Sequence, residues 1–164
     1  MNTLADELGH PGAQELLRTQ SLTRLAYNGV DGFPRVIPIG FRWDGQRFIM
    51  TTAPTAPKVR ALAARPQVAL TIDSSDPSST NLNPASRALL VRGLATIEVS
   101  DAALDEYVAG SIEGLDEDHR RAGEAKLRSI HRRMARISIE PRWARYYDFG
   151  AGRVPAFLAR LGEQ

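Results

Sequence analysis

The chain has 164 residues, of which 43% are hydrophobic and 24% are charged, and its formal net charge is +2. This composition fits one soluble globular domain over residues 1–164, with enough apolar residues for a core. It excludes disulfides and thiol chemistry because there is no cysteine, a membrane span because no apolar run approaches roughly 18 residues, and a nucleic-acid-binding tail because the basic residues are dispersed. The N-terminus lacks a secretory pattern, so we expect a cytoplasmic protein.

The first half of the chain predicts one helix followed by three strands. Pro11 and the apolar pair Leu16 and Leu17 indicate a helix over 10–20. Asn-Gly and Asp-Gly pairs then mark two tight turns, one near residues 28–34 and one at 44–46. These turns separate strands predicted at 21–28, 35–43 and 47–53, which we expect to form an antiparallel meander.

The second half of the chain alternates helices and longer strands. Pro66 ends a predicted helix over 56–66, and a polar stretch predicts a long loop over 74–86. Gly93 predicts a bulge or bend in its strand, and Ser100 or Asp101 is the expected cap of the next helix. The remaining predicted elements are strands at 67–73, 87–100 and 135–149 and helices at 101–112, 116–134 and 154–162.

The order of these elements indicates a mainly β fold with helices, in the α+β class. The chain shows no βαβ rhythm, so a doubly wound parallel sheet is excluded. Six antiparallel strands in a chain of this length favour closure into a small barrel. In the last strand, Ile137, Ile139, Pro141 and Trp143 alternate and are expected on one face.

The segment 51–62, TTAPTAPKVRAL, is the best candidate for a binding site. Lys58, one of two lysines in the chain, stands with Arg60 in the first turn of the predicted helix, and Thr55 is the candidate cap. A strand end with hydroxyl groups, a helix N-terminus and a lysine together form a cradle for an anion such as phosphate. The alternative is a surface helix with solvated charges, and the residues alone leave both open.

The segment RVIPIG at 35–40 is a second candidate. Ile37, Ile39, Phe41 and Trp43 alternate on one face of its strand, whereas the other face carries Val36, Pro38, Gly40 and Arg42. A flat ring could lie against that second face, because Pro38 has no N–H and Gly40 has no side chain. The alternative, which the residues alone favour, is an edge strand with a bulge.

Other chemistries have no support in the sequence. His10, His119 and His131 lack metal-ligand spacing, so no metal site is predicted. Asp101, Asp105 and Glu106 are typical of a helix start, and no nucleophile elbow or Gly-rich nucleotide loop is present. Aromatic residues Trp143, Tyr146 and Tyr147 in the last strand are more typical of core than of a stacking site.

Residues 21–73 resemble the split β-barrel flavin-binding superfamily, which contains pyridoxamine 5'-phosphate oxidases and oxidoreductases that use FMN or the deazaflavin coenzyme F420. The shared pattern is a hairpin, then G-x-P-x-V-x-P, F-x-x-T and K-x-R-x-L-x-x-x-P-x-V. The resemblance is weaker over 87–99 and 135–149 and is lacking over 74–86 and 101–133.

The resemblance implies a six-stranded antiparallel split β-barrel of the FMN-binding type. It also implies a homodimer that holds FMN or F420 at the subunit interface. The residues that it assigns are Arg35, Val36, Ile37, Pro38 and Gly40 along the ring and ribityl chain, Met50, Thr51 and Thr52 at the chain and phosphate, Lys58 and Arg60 on the phosphate, and Tyr147 near the partner's cofactor.

The chain departs from the true pyridoxamine phosphate oxidases in two places. Their Ser-Arg-Lys run reads TAPK here, and their C-terminal Arg-x-His pattern is absent. We therefore expect hydride transfer between FMN or F420 and a small organic substrate other than vitamin B6, with no catalytic side chain assigned. The alternatives are a non-enzymatic flavin or haem carrier and an interaction domain with an empty barrel.

Overall fold

The computed structural model of the chain describes residues 2–75, 85–102 and 104–160. These residues form one antiparallel sheet flanked by helices, which confirms the α+β class. The strands are β1 (Leu22–Asn28), β2 (Pro34–Gly40), β3 (Arg42–Trp43), β4 (Phe48–Thr52), β5 (Gln67–Ser75), β6 (Ala85–Ser100) and β7 (Met134–Asp148). The helices are α1 (Leu4–Gly9), α2 (Pro11–Thr19), α3 (Pro57–Ala64), α4 (Asp105–Ser111), α5 (Glu117–Ile130) and α6 (Ala156–Ala159).

The sheet has the strand order β2-β1-β5-β6-β7-β4-β3 and does not close, as in a split barrel. The predicted meander is wrong: β1–β2 and β3–β4 are hairpins, but they lie at opposite ends of this order, and β4 pairs with β7. The predicted strand 35–43 is therefore two strands, and the described sheet has seven strands rather than six.

The predicted strand 35–43 is interrupted between β2 and β3, where the chain stops pairing with β1 and begins to pair with β4. Gly40 pairs with Leu22 of β1, and the N–H of Phe41 still donates to the Ser21 carbonyl at 3.0 Å. The next residue, Arg42, pairs with Ile49 of β4 instead.

The larger of two buried apolar clusters lies between the sheet and α2, and the smaller one joins Val108, Ile112 and Met134. Ala13, Leu16 and Leu17 of α2 are buried, as the apolar pattern predicts. The predicted inner face of the strand 35–43 is also confirmed, because Ile37, Ile39, Phe41 and Trp43 pack against the larger cluster. Their neighbours Val36, Pro38, Gly40 and Arg42 are exposed.

A bulge interrupts the pairing of β6 with β7, as Gly93 predicts. Arg92 pairs with Trp143 but Gly93 pairs with Pro141, so Arg142 is an extra residue. A Cβ on Gly93 would lie 2.6 Å from the Glu140 carbonyl oxygen, which explains the glycine. The bulge shifts the alternation of β7 by one residue.

That shift corrects the predicted position of Trp143. Pro141 is buried like Ile137 and Ile139, but beyond the bulge the buried residues are Ala144 and Tyr146. Trp143 therefore leaves the face of Ile137, and the Arg92 guanidinium lies 4.6 Å from its ring centroid. An alternating pattern fixes a face only as long as no residue is inserted.

Several predicted boundaries also change. β5 and β6 extend into the predicted loop 74–86, of which residues 76–84 lie outside the described residues. The helix predicted after Ser100 begins only at Asp105, and neither Ser100 nor Asp101 caps it, because its N-cap residue is Leu104. The helix predicted at 116–134 is α5, with Asp116 as its N-cap. The helix predicted at 154–162 begins at Ala156 as α6, and residues 161 and 162 of the prediction lie outside the described residues.

The sequence analysis did not predict α1. This helix begins with a capping box, in which the Thr3 hydroxyl accepts from the Asp6 N–H and the Asp6 carboxylate accepts from the Thr3 N–H. Thr-x-x-Asp is close to the usual signature of a helix start, so the signal was present. Glu7 of α1 is buried against β7 and fixes the N-terminus to the sheet.

Candidate functional site

The segment between β4 and α3 forms a tight turn that ends in an uncapped helix N-terminus. The Ala56 N–H donates to the Ala53 carbonyl at 3.0 Å, and α3 begins at Pro57. Its N-cap residue is Ala56, with no side-chain cap hydrogen bond, so the predicted cap Thr55 is wrong. Pro57 has no N–H and the Val59 N–H donates to the Ala56 carbonyl at 2.9 Å, so the Lys58 N–H is the amide of this first turn that is left for an anion.

Two cations stand in the first turn of α3. Lys58 is partly exposed and Arg60 is exposed. Within the described residues, neither side chain forms an ion pair or a hydrogen bond. Because both charges lie beside the uncapped helix end, the turn carries unneutralised positive charge where the sequence predicts a phosphate site.

Strand β2 offers an exposed surface at the edge of the sheet. Val36 is 67% exposed, and Pro38 and Gly40 on the same face are exposed as well. β1 is the strand with which β2 forms its ladder, so the other edge of β2 carries backbone groups that are unpaired within the described sheet. A flat ring with polar edges could bond to such a backbone.

Arg35 at the start of β2 is held by its own turn. Its guanidinium lies 2.6 Å from the Asp31 carboxylate, four residues earlier. The hydrogen bond from Arg35 is the main reason that the pKa of Asp31 lies below its ordinary value of 3.8. Because this ion pair occupies the Arg35 side chain, a ligand would contact Arg35 chiefly through its backbone.

A cavity of about 1000 Å³ opens at the junction of β2 and β3. It collects three of the predicted site residues, Gly40, Met50 and Thr51, although the Met50 side chain is 1% exposed and belongs to the core. Its other walls come from the end of α2, from β3 and from α4. The charged and aromatic residues of its lining include Arg18, Phe41, Arg42, Trp43, Tyr107 and Arg120.

The predicted residues therefore do not lie together in one cavity. Thr51 lines the cavity, and Thr52 follows it and leads into the turn before α3. The other predicted residues do not line this cavity; they are Arg35, Val36, Ile37 and Pro38 of β2, Thr52 of β4, Lys58 and Arg60 of α3, and Tyr147 of β7. Tyr147 is partly buried and pairs with Ala88.

The sequence analysis missed the α4 wall of the cavity. Glu106 in the first turn of α4 forms an ion pair with Arg136 of β7. The hydrogen bond from Arg136 is the main cause that holds the pKa of Glu106 below its ordinary value of 4.5. No motif in residues 101–133 could have indicated this wall, because the ion pair joins residues thirty positions apart.

Two other features are absent from the described residues, a metal-ligand cluster and a membrane-spanning helix. Over residues 2–75, 85–102 and 104–160, no three His, Asp or Glu side chains come together as metal ligands would. None of the helices in these same ranges has the length and hydropathy of a membrane span.

Comparisons with known proteins agree with these features. The model of a family described as pyridoxamine 5'-phosphate oxidase matches residues 10–148. No curated protein sequence matches the chain. Among solved structures, an F420 reductase is 28% identical, with a TM-score of 0.53, and the alignment covers 80% of this chain and 94% of that one.

Two further solved structures resemble the chain in fold. The haem storage protein HutZ from Vibrio cholerae is 18% identical over 85% of this chain and 93% of its own, with a TM-score of 0.61. An FAD-binding protein from Mesorhizobium loti is 13% identical over 84% of this chain and 92% of its own, with a TM-score of 0.53. The fold alone is therefore found with different ligands and does not select one.

Proposed function

Because the chain belongs to the pyridoxamine 5'-phosphate oxidase family, we propose that it holds FMN or F420 and transfers a hydride between that cofactor and a small organic substrate. The observation that carries this proposal is the uncapped N-terminus of α3 beside Lys58, whose side chain has no ion pair or hydrogen bond among the described residues. An F420 reductase at 28% identity supports the deazaflavin as one of the two candidates.

The residues of this chain fit a ligand with a phosphate, a hydroxylated chain and a flat ring. The side chains of Lys58 and Arg60 and the Lys58 N–H would hold the phosphate, and the Thr51 and Thr52 hydroxyls would bond to the hydroxylated chain of the ligand. The exposed backbone and small residues of β2 would bind the ring.

The protein would act by binding and orientation. When bound, the flavin or deazaflavin ring supplies the two-electron chemistry. The residues of β2 would fix the ring and cover one of its faces. Hydride transfer requires no side chain of the protein as an acid or base. TAPK in place of Ser-Arg-Lys and the lack of Arg-x-His support a substrate other than pyridoxamine phosphate.

The first experiment is a titration of the cofactor-free protein with FMN and with F420, followed by the fluorescence of each cofactor. We expect micromolar or tighter binding of one of them. Binding of neither would refute the oxidoreductase proposal. If one binds, turnover with electron donors then separates an enzyme from a carrier that only stores the cofactor.

Lys58→Ala tests the phosphate site. The substitution removes a charge-assisted hydrogen bond worth roughly 1.5–3 kcal/mol, so cofactor affinity should fall about ten- to hundredfold. Lys126→Ala is the matched control, because Lys126 is the other lysine and is exposed on α5. Equal affinities of the two variants would remove Lys58 from the site.

The carrier alternative includes haem, for which the usual protein ligand is a free imidazole. His10 accepts the Gly12 N–H at 3.1 Å, and its ring stacks on Tyr146 at 4.7 Å. His131 and His119 lie 3.2 Å and 2.6 Å from Tyr107 and Asp116. Because the Asp116 contact is at His119 Nδ1, the Nε2 of this ring is still open to a metal, and the imidazoles do not separate the two alternatives. A haem titration separates them: a Soret shift would support the carrier, and its absence would favour the flavin proposal.

A homodimer is the second part of the proposal. Leu22, Phe33 and Val36 at the β1–β2 edge are 61%, 67% and 67% exposed. Large apolar side chains gathered at one edge of a sheet favour a protein partner over water. A second copy of the chain on this edge would cover these side chains and complete the cofactor site on β2.

A further inference from the structure

The cavity at the β2–β3 junction is part of a longer groove. It shares Leu17, Arg18 and Trp43 with a second cavity of about 620 Å³ that runs along α2. We name the two together the α2–β3–α4 groove, after the elements that form its walls. Their volumes suit a small organic molecule.

Positive charge in this groove is not neutralised by the protein. Arg18 and Arg42 are exposed, and among the residues described neither side chain forms an ion pair or a hydrogen bond. A third cation, Arg120, donates to the Leu115 carbonyl at 3.3 Å. Because a carbonyl has no net charge, this hydrogen bond does not neutralise the guanidinium.

The acids of the groove do not balance these cations. Glu106 is already paired with Arg136, and Glu15 lies 2.6 Å from Arg87. Only Glu113, which is exposed and has no ion pair in the described part of the chain, opposes the three arginines. The groove therefore attracts an anion.

The floor of the groove is aromatic. Trp43 and Phe41 are partly buried, and each packs its ring against Phe48, at centroid distances of 4.6 and 5.9 Å. Tyr107 of α4 lies on the opposite wall. Rings fixed in this way present a rigid apolar surface, which suits the face of a planar ligand.

We propose that the α2–β3–α4 groove binds an aromatic carboxylate, which is the substrate of the reaction proposed above. Its ring lies against Phe41 and Trp43, and its carboxylate pairs with Arg42 and Arg18, whose planar guanidinium groups match a carboxylate in two hydrogen bonds. Arg42 alternates with these two rings along residues 41–43, so its long side chain reaches the carboxylate around the outer edge of β3, the last strand of the described sheet. The role as substrate depends on the proposed function, whereas binding of the carboxylate does not.

The test uses the full chain without cofactor and two probes of equal shape. 2-Naphthoate carries the charge, and 2-naphthalenemethanol replaces the carboxylate with a neutral group. Calorimetry should show the carboxylate binding about tenfold more tightly than the alcohol. Arg42→Gln should weaken the carboxylate about three- to tenfold and leave the alcohol unchanged.

Two variants make the result specific. Arg47→Gln is the matched control, because Arg47 is exposed on the same hairpin, has no ion pair within the described chain and does not line the groove. Gly110→Leu fills the groove from α4, where a Cβ on Gly110 would meet nothing within 4 Å. It should weaken both probes, and leucine favours the helix.

Failure of the carboxylate to bind, or binding that Arg42→Gln and Gly110→Leu leave unchanged, would overturn the groove proposal. If Arg42→Gln weakens F420 and not the carboxylate, the groove serves the cofactor and the proposal is also overturned. Carboxylate binding in a protein that takes up neither FMN nor F420 would support the site and refute its role as substrate site.

Discussion

Glu7 is a buried carboxylate that joins the first helix to the last strand. It is 1% exposed and accepts hydrogen bonds from the Tyr146 N–H at 2.8 Å, from Arg153 at 2.7 Å and from Arg145 at 3.2 Å. Burial acts to raise the pKa of Glu7, but the hydrogen bonds from Tyr146 and Arg153 outweigh it, and the pKa lies below its ordinary value of 4.5. Ionised Glu7 therefore stabilises the folded state.

Glu7→Gln should lower the free energy of unfolding at neutral pH by about 3 kcal/mol, because it leaves two partly buried arginines without their counterion. A carboxyl whose pKa is lower in the folded state stabilises the fold above its unfolded-state pKa. That stabilisation is lost as the pH falls through the folded-state pKa. The difference between wild type and variant should therefore be smaller in acid, as urea unfolding at about pH 7 and about pH 3 would show.

Glu15→Gln is the control for this prediction. Glu15 also pairs with an arginine, Arg87, but its side chain is 47% exposed. Such a pair contributes about 0–1 kcal/mol, so this variant should unfold almost as the wild type does. Equal destabilisation of the two variants would mean that burial does not strengthen the Glu7 network.

At the scale of elements, α3 combines an uncapped N-terminus with the binding role proposed for it. Its N-cap Ala56 has extended backbone angles and no side-chain cap, although serine at that position would accept from the helix amides. Helix stability and anion binding use the same N–H groups, so the two should oppose each other.

Ala56→Ser should therefore raise the stability of the protein by about 0.5–1 kcal/mol and lower its affinity for FMN or F420 severalfold. Thermal unfolding measures the first effect and the fluorescence titration measures the second. Ala56→Gly is a suitable control, because glycine is tolerated as an N-cap but brings no acceptor. A serine variant with higher stability and unchanged affinity would show that the cofactor does not use these amides.

At the scale of the whole molecule, the open sheet leaves an apolar edge that a single chain does not cover. Native mass measurement should give twice the chain mass of 18.0 kDa. Val36→Asp should shift the equilibrium toward the monomer, because it places a charge in the middle of the edge formed by Leu22, Phe33 and Val36.

Phe157→Asp is the comparison for the dimer experiment. Phe157 is 68% exposed on α6, away from the β1–β2 edge, and its substitution should leave the mass unchanged. A wild-type protein that stays monomeric at micromolar concentration would refute the dimer. The cofactor titration would then be interpreted for a site within one chain.

Much of the fold was predictable because local residues impose it. The Asn-Gly and Asp-Gly turns produced the two hairpins, alternation placed Ile37 and Ile39 inward, and Gly93 marked the bulge. The missed features involve partners that are distant in sequence. Neither the pairing of β4 with β7 nor the exchange of neighbours at Gly40 has a local signal, because each depends on which strand lies alongside.

The sequence by itself determined which residues could bind a phosphate, because Lys58 and the turn before α3 are contiguous in the chain. Only the tertiary structure decided that Lys58 has no partner among the described residues, that Arg42 opens onto a groove and that α4 forms the opposite wall. The physical reason is that a charge can be neutralised, and a cavity closed, by any residue that folding brings near. Composition and spacing fix the available chemistry, and packing decides which of it remains free to act.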